Sequence, residues 1–477
     1  MFAVLLLLSM GLVACSTVEV RGVRPNIVLV LVDDLGCGDL GCYNPESKIP
    51  TPNLDRMAKE SVVCTDAHSP SSVCTPTRYA VLTGRYAWRS RLRKGVLQGY
   101  DRLLIEPGRE TIPSLLQESG YRTACIGKWH LGLGSYAVGE TGRTDYTQSF
   151  DAGPHTVGFE TTFAIPASLD MPPYVYVVGD HLEEPATAQT PGSKRRWSGG
   201  GGFWRKGPMA ASFDFYQVVP RCVEQAEEFV RECAEDPSQP FFLYLPLPTP
   251  HTPWMPTLPY QGRSQAGWYG DFVHQLDAQM GSLLAVLEET GLADDTLVIF
   301  TSDNGAHWRP RDIEKHGHDS HIGLRGMKAD IHEAGHRVPL LVRWPGRLEP
   351  GTCGDLIGLQ DWYATIAAIV GRPIGPAEGE DSMDQLPALL GEGPVRQEQV
   401  HHALDGMFAL RSGDWKWIEG LGSGGFTQPR RHKQSPGAAP GQLYDLAKDR
   451  GEEIDLVIER PEIVEQLRVR LAEIRQQ

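Results

Sequence analysis

The chain has 477 residues, 41% of them hydrophobic and 22% charged, an ordinary globular balance with length enough for a large core and two domains. Its net charge of -15 excludes a general nucleic-acid binder, which needs a basic excess, so an anionic ligand has to be drawn in by a local basic pocket. Nine cysteines without a C-x-x-C pair or zinc-ribbon spacing do not make a disulfide framework, although one or two bridges fit an oxidising compartment.

Residues 1–20, MFAVLLLLSMGLVACSTVEV, read as an export signal with a short apolar core. Leu12-Val13-Ala14-Cys15 has the form of a bacterial lipobox, with Cys15 as the point of lipid attachment, although no Lys or Arg precedes the apolar run. The expected location is the periplasm or cell envelope, as a lipoprotein or as a plainly exported protein. No later apolar run reaches the ~20 residues of a membrane span.

Residues 26–32, NIVLVLV, are apolar and rich in β-branched types after the first, as in a strand buried on both faces, and they end at Asp33-Asp34. A helix is predicted over 51–61. Another starts near Cys74 in SSVCTPTRYAVLTGRYAWRS (71–90), where Thr75 is a cap candidate and Pro76 suits the first turn. That start puts a thiol at the positive end of a helix dipole, close to Arg78. A helix over 111–119 precedes a weaker strand, TACIG (123–127), which runs into Lys128-Trp129-His130.

Segment 186–208 is basic, Gly-rich and loop-like, and is no phosphate loop because no Gly-Lys-Ser/Thr follows. A helix over 219–235 is followed by the strand FFLYLPL (241–247), running toward His251. A helix over 269–290 leads to the strand TLVIFTS (296–302) and Asp303-Asn304-Gly305. The strand VPLLVRW (338–344) follows the Lys328 region, and a helix covers 361–370. This alternation predicts an α/β domain over 21–372, a large mixed, mostly parallel sheet sandwiched by helices. After the linker-like GRPIGPAEGE, residues 373–477 read as a smaller C-terminal α+β domain: two strands in MFALRSGDWKWIEG, a further strand, and an amphipathic helix from Pro461.

Four predicted strands end at, or are followed by, polar residues. Ligands of open α/β sheets bind at the carboxyl ends of strands, so one site assembled from distant segments is expected. Asp33, Asp34, Asp303 and Asn304 offer only oxygen donors, which suits a hard divalent cation, Ca²⁺ or Mg²⁺, rather than zinc. Singly, each pair is ordinary turn chemistry. With the basic set Arg78, Lys128, His130, His251 and Lys328, they describe a metal beside a pocket for sulfate or phosphate. The helix start at Cys74 adds backbone donors.

Cys74-Thr75-Pro76-Thr77-Arg78, followed by Leu82-Thr83-Gly84-Arg85, resembles the C-x-P-x-R motif of the formylglycine-dependent sulfatases, in the alkaline phosphatase superfamily. GKWHLG (127–132), PHTPW (250–254), SDNG (302–305) and RGMKADIHEAGHRVPLLVRWPG (325–346) match that family in order and spacing, over roughly residues 24–460. Thr77, where Ser or Ala is commoner, and Glu333-Ala334-Gly335, where Glu-Gly-Gly is commoner, depart from the pattern without touching a reacting group.

The resemblance implies that a maturation enzyme oxidises Cys74 to formylglycine. It implies Ca²⁺, rather than Mg²⁺, held by Asp33, Asp34, Asp303 and Asn304 with residue 74 as a further ligand. The hydrated aldehyde attacks sulfur; Arg78 stabilises it, and Lys128 and Lys328 bind the sulfate oxygens. His251, with Lys328, protonates the departing alcohol, and His130 helps deprotonate the second hydroxyl so that sulfate leaves. A thiolate nucleophile is the alternative, but it lacks a hard oxygen for the metal. Residues 153–177 resemble an insert in relatives of N-acetylgalactosamine-6-sulfatase and arylsulfatase A, implying a sulfated carbohydrate substrate such as 6-sulfated galactose or N-acetylgalactosamine. The rivals are a phosphate or phosphonate ester hydrolase and a non-catalytic carbohydrate-binding relative.

Three features stay open at this level. His316, His318 and His321 suit a second metal, a loop at the substrate mouth, or a solvated loop. The basic stretches WRSRLRKG (88–95) and SKRRW (193–197) suit sugar or anion contacts or a solvated face. Trp197, Trp204 and Trp254 suit sugar stacking or loop anchoring.

Overall fold

Asn26–Val32 forms a strand in which every residue is buried. Ile27, Leu29 and Leu31 pack into one apolar cluster with Tyr79, Leu82, Leu116 and Ile366. Val28, Val30 and Val32 pack into another with Met57, Val223, Phe272 and Leu276. Burial on both faces is why this run shows no polar alternation. The computed structural model describes residues 20–135, 142–194, 202–433 and 439–477; the export segment with Cys15, and Trp197, lie outside them.

The strand sits inside a ten-stranded sheet. Its five central strands, Thr296–Ser302, Asn26–Val32, Phe241–Leu245, Arg122–Lys128 and Thr161–Ile165, run parallel. Leu340–Arg343 pairs antiparallel with Thr296–Ser302 and makes the sheet mixed. Beyond it lie Val62–Cys64 and Gly351–Cys353. The far edge comes from residues within 153–182, whose short strands extend the sheet past Thr161–Ile165. Helices Cys74–Thr83, Ile112–Glu118 and Trp362–Ile369 cover one face. Pro52–Lys59, Val218–Ala234 and Gly267–Glu289 cover the other.

A four-stranded antiparallel sheet follows, in the order Glu398–His402, Phe408–Ser412, Trp415–Ile418, Gln442–Asp445. The closing helix Pro461–Gln476 buries Val464, Leu467 and Leu471 on one face of it. Glu398–His402 escaped the sequence reading, because EQVHH is mostly polar. Its end holds the segment before Cys74: His402 O accepts from Ser72 N at 3.1 Å and from Ser71 Oγ at 2.9 Å.

Two expectations change. All eight described cysteines are free, so among the described residues no bridge forms. The helix at Cys74 is capped by Val73 without a side-chain bond. Thr75 lies inside that helix, where its Oγ1 accepts from Leu97 N at 3.2 Å and ties the 97 loop to the helix start. Among the described residues no helix is long and apolar enough to cross a membrane.

Leu29→Ala removes a fully buried side chain from the central strand. It is expected to cost about 2–5 kcal/mol of stability, read as a lower urea midpoint with unchanged slope.

Candidate active site

Parallel strands bring their carboxyl ends to one edge. Asp33 and Asp34 follow Asn26–Val32, and Asp303 and Asn304 follow the neighbouring Thr296–Ser302. Asp303 N donates to Val32 O at 2.9 Å, locking the two ends together. On the other side, Lys128 ends its strand, and its N–H donates to Pro246 O at 2.5 Å in the segment leading to His251. Gly127, at φ +134°, lets these backbones meet: a Cβ there would stand 2.1 Å from Pro246 O. Asp34 (φ +68°), His130 (φ +53°) and Ala329 (φ +77°) are held in the left-handed region, which non-glycine residues tolerate only when their surroundings over-determine it.

The carboxylates are buried and paired with cations. Arg78 donates from Nε and Nη2 to Asp303 Oδ2 at 3.0 and 2.7 Å, and its Nη1 donates to Lys128 O at 3.0 Å. Lys128 Nζ bonds Asp33 Oδ2. Lys328 Nζ lies 2.6 Å from Asp34 Oδ1. Asn304 Nδ2 donates to the same Asp34 oxygen at 2.7 Å. His251 Nε2 stands 3.8 Å from Asp34 Oδ2.

Three oxygens in this cluster, Asp33 Oδ1, Asp303 Oδ1 and Asn304 Oδ1, are buried without a hydrogen-bond partner. Cys74 Sγ joins carboxylate oxygens of Asp33 and Asp303 within 4.8 Å of one another. Asp33, Asp34 and His251 form a second group within the same limit. Buried unpartnered acceptors are costly, and several converging on one point are what a cation satisfies. The four oxygen donors and the five basic residues, nine in all, therefore meet with Cys74 at this sheet edge, His130 reaching it from the loop beyond Lys128.

Burial is the largest influence on each charge. It raises Asp34 against the pull of Lys328. It pushes Asp303 up to about 7, with Asp33 adding to the effect and Arg78 opposing it. Burial also works to raise Asp33, but Lys128, His251, Arg78 and Lys328 hold it well below the usual carboxylate range. Burial and Lys328 lower His251 to about 4. Burial, Lys128 and Arg78 hold His130 well below its ordinary value. Burial raises the Cys74 thiol, so the thiolate is disfavoured here. Burial works to lower Lys328, yet Asp34 and its neighbours leave it raised and firmly protonated.

Both histidines are thus neutral at pH 7. His130 Nε2 lies 2.8 Å from Leu97 O, so it carries the proton and leaves Nδ1, which is buried and unpartnered, as an acceptor. His251 Nδ1 lies 2.6 Å from Thr252 O, which leaves Nε2 bare toward Asp34.

Sequence reasoning missed Asp39. Its carboxylate accepts from Gly36 N at 2.7 Å, Ser320 Oγ at 2.6 Å and Tyr269 Oη at 2.5 Å, and meets His318 Nε2 at 2.8 Å. It anchors the turn that carries Asp34. The only hint was an acid five residues beyond the pair. His318 is thereby a positioning residue. His316 bonds Gln265 O at 3.2 Å and His321 bonds Ala306 O at 3.2 Å, so the three histidines diverge and share no metal group among the described residues. Asp170 was also missed: it is buried, pairs with Arg205, and keeps Oδ1 unpartnered near His251. Trp204 packs on Phe215, and Trp254 on Tyr269 and Trp308, as loop anchors. Within 88–95, Arg89 is occupied by Asp381.

Residues 25–372 match the Sulfatase family. N-acetylgalactosamine-6-O-sulfatase of Bacteroides thetaiotaomicron is 31% identical, with 93% of this chain and 92% of that protein covered. Human arylsulfatase A is 33% identical, covering 91% and 83%. A solved sulfatase structure from Bacteroides thetaiotaomicron, from work on its metabolism of multiple glycosaminoglycans, superposes with a TM-score of 0.84 at 30% identity over 95% of this chain and all of that one (100%). A sulfatase structure from Pseudoalteromonas sp. gives 0.72 at 25% identity, covering 95% and 91%.

Arg78→Leu leaves Asp303 buried without its partner and is expected to cost about 3–5 kcal/mol, read by chemical unfolding. Combined with Asp303→Asn, the loss is expected to fall short of the sum of the single variants, because the two share one interaction.

Proposed function

The chain belongs to the sulfatase family and is a sulfuric ester hydrolase; from that premise we propose that it removes sulfate from a sulfated carbohydrate, using residue 74 as formylglycine beside a calcium ion. The observation that carries this reading is the set of unpartnered buried oxygens on Asp33, Asp303 and Asn304, with Cys74 beside the first two carboxylates. The donors are all oxygen, which suits calcium. Asp33, Asp34, Asp303 and Asn304 would hold it, with residue 74 as a further ligand.

Charge balance supports an anionic substrate. Three carboxylates, Asp33, Asp34 and Asp303, face three fixed cations, Arg78, Lys128 and Lys328, so a divalent ion turns a neutral cluster into a positive one. Held by these residues, calcium would supply Lewis acidity toward a sulfate oxygen and toward a hydroxyl beside it. Formylglycine at position 74 would supply, as its hydrate, a hydroxyl nucleophile and a second hydroxyl whose deprotonation would let sulfate go and return the aldehyde. A maturation enzyme acting on the C-x-P-x-R segment would produce it from Cys74.

The remaining roles belong to side chains already placed. Arg78 orients Asp303 and opposes the rise that burial and Asp33 impose on its carboxyl. Lys128 and Lys328 bind sulfate oxygens and offset charge in the transition state. Lys328 and His251 flank the leaving oxygen. Lys328 is protonated throughout; His251, whose protonation is disfavoured first by burial and then by the Lys328 charge, becomes easier to protonate as the anionic ester offsets that charge. His130 Nδ1 accepts the proton of the second hydroxyl. Asp170 Oδ1 is free to accept from a sugar hydroxyl. The relatives active on N-acetylgalactosamine 6-sulfate support 6-sulfated galactose or N-acetylgalactosamine as substrate. Export to the periplasm or cell envelope, with or without a lipid on Cys15, would bring the enzyme to such polymers.

The test begins with mass spectrometry of the Cys74 peptide to establish conversion, followed by assay of sulfated mono- and oligosaccharides and of nitrophenyl sulfate and phosphate. Sulfate release from a 6-sulfated sugar is expected; faster phosphate release, or sugar binding without release by converted protein, overturns the reading. Cys74→Ala is expected to abolish turnover, and His251→Ala to lower kcat about 10²- to 10⁴-fold. Chelation of calcium should remove activity and lower the melting temperature, with both restored by Ca²⁺. In Asp303→Asn, added Ca²⁺ should leave the melting temperature much less changed.

A further inference from the structure

Away from the sheet edge, three histidines from distant parts of the chain meet in the interior. His68 follows Ala67 in a short strand, His336 ends the Glu333–His336 helix, and His401 lies in Glu398–His402 of the C-terminal sheet. All three are buried. Each offers a ring nitrogen, and these atoms lie within 4.8 Å of one another. His68 Nδ1 and His336 Nδ1 face each other at 2.9 Å.

The outward nitrogens have partners of the kind that orient metal-bound imidazoles. His68 Nε2 lies 2.8 Å from Asp66 Oδ1, so it carries the proton and leaves Nδ1 as a bare acceptor. His336 Nε2 lies 2.9 Å from Lys416 Nζ, which can only donate, so this nitrogen accepts and the ring proton sits on Nδ1; Ile331 O is 3.2 Å from the same Nε2. His336 Nδ1 therefore donates to His68 Nδ1, and a metal ion binding both rings would take the place of that single proton. His401 adds an independent observation: both of its ring nitrogens are buried without any hydrogen-bond partner. Its ring stacks on His336 with centroids 3.6 Å apart and planes 13° apart. Turning a nitrogen toward the other two requires rotation of that ring, which none of its own hydrogen bonds opposes.

The surrounding charges cancel. Arg337 pairs with Asp66 and Glu333, Arg411 with Asp66, and Lys416 with Glu333 and Glu452. The two His401 nitrogens are thus the uncommitted ones of this polar core. Nitrogen donors suit zinc and similar borderline cations, not the hard ion of the oxygen-lined site.

We propose that His68, His336 and His401 form a second metal site, for zinc or a similar divalent transition metal, joining the C-terminal sheet to the main body. Three protein nitrogens fill three positions and a water takes the fourth. The inference does not depend on the reaction proposed above.

The test uses the full-length protein, stripped with chelator and dialysed against zinc with calcium in excess, so that calcium occupies the oxygen site. Metal content is read by elemental mass spectrometry. One zinc per chain is expected in the wild type, with affinity at least about 100-fold weaker in His401→Gln and in His68→Gln, the loss of a ligand exceeding the 10- to 100-fold typical of a supporting residue. Cobalt in place of zinc should give visible absorption bands in the wild type that both variants lose. Circular dichroism of the stripped variants checks that the fold persists. No zinc retained by the wild type overturns the proposal, and so does zinc retained equally by both variants.

Discussion

Three carboxylates buried at the ends of two adjacent strands are the constraint from which the rest of the architecture follows. Carboxylates taken out of water remain ionised only where fixed positive charge surrounds them. Arg78 comes from a helix on one face of the sheet, Lys128 from a strand two places away, and Lys328 from a loop near the C-terminal sheet. No local segment could supply this compensation. The chain must fold completely before the cluster is electrically tolerable.

That requirement explains the unusual backbone. Asp34, His130 and Ala329 occupy the left-handed region without being glycine, and each adjoins or belongs to the charged set. The bonds of Asp39 to Gly36, Ser320 and Tyr269 hold the Asp34 turn in place. Ser71 and Ser72 are tied to His402, so the C-terminal sheet steadies the start of the Cys74 helix. The small sheet is thus part of the support for the site, and its buried polar contacts with the main body include the histidine cluster.

Much of the main sheet was legible along the chain. Runs such as 26–32 and 296–302 are apolar enough to be buried on both faces, and polar residues at their ends mark the ligand edge. Glu398–His402 was not legible: two of its five residues are histidines, and only partners from other segments make its burial acceptable. Thr75 followed a sound capping rule, but the loop at Leu97 claimed its hydroxyl. The histidines of 316–321 are neighbours in sequence and diverge in space, whereas His68, His336 and His401 are far apart in sequence and converge.

The sequence by itself determined the class of fold, the order of the strands along the chain, the family, and the identity of the groups at the sheet edge, because each leaves a local trace: an apolar run, a short motif, a pair of acids. Tertiary structure alone decided which oxygens are left without partners, which tautomer His130 adopts, what Asp39 holds, and which histidines meet. Those properties depend on distances between residues hundreds of positions apart, and hydrogen bonding and charge act through space, not along the chain.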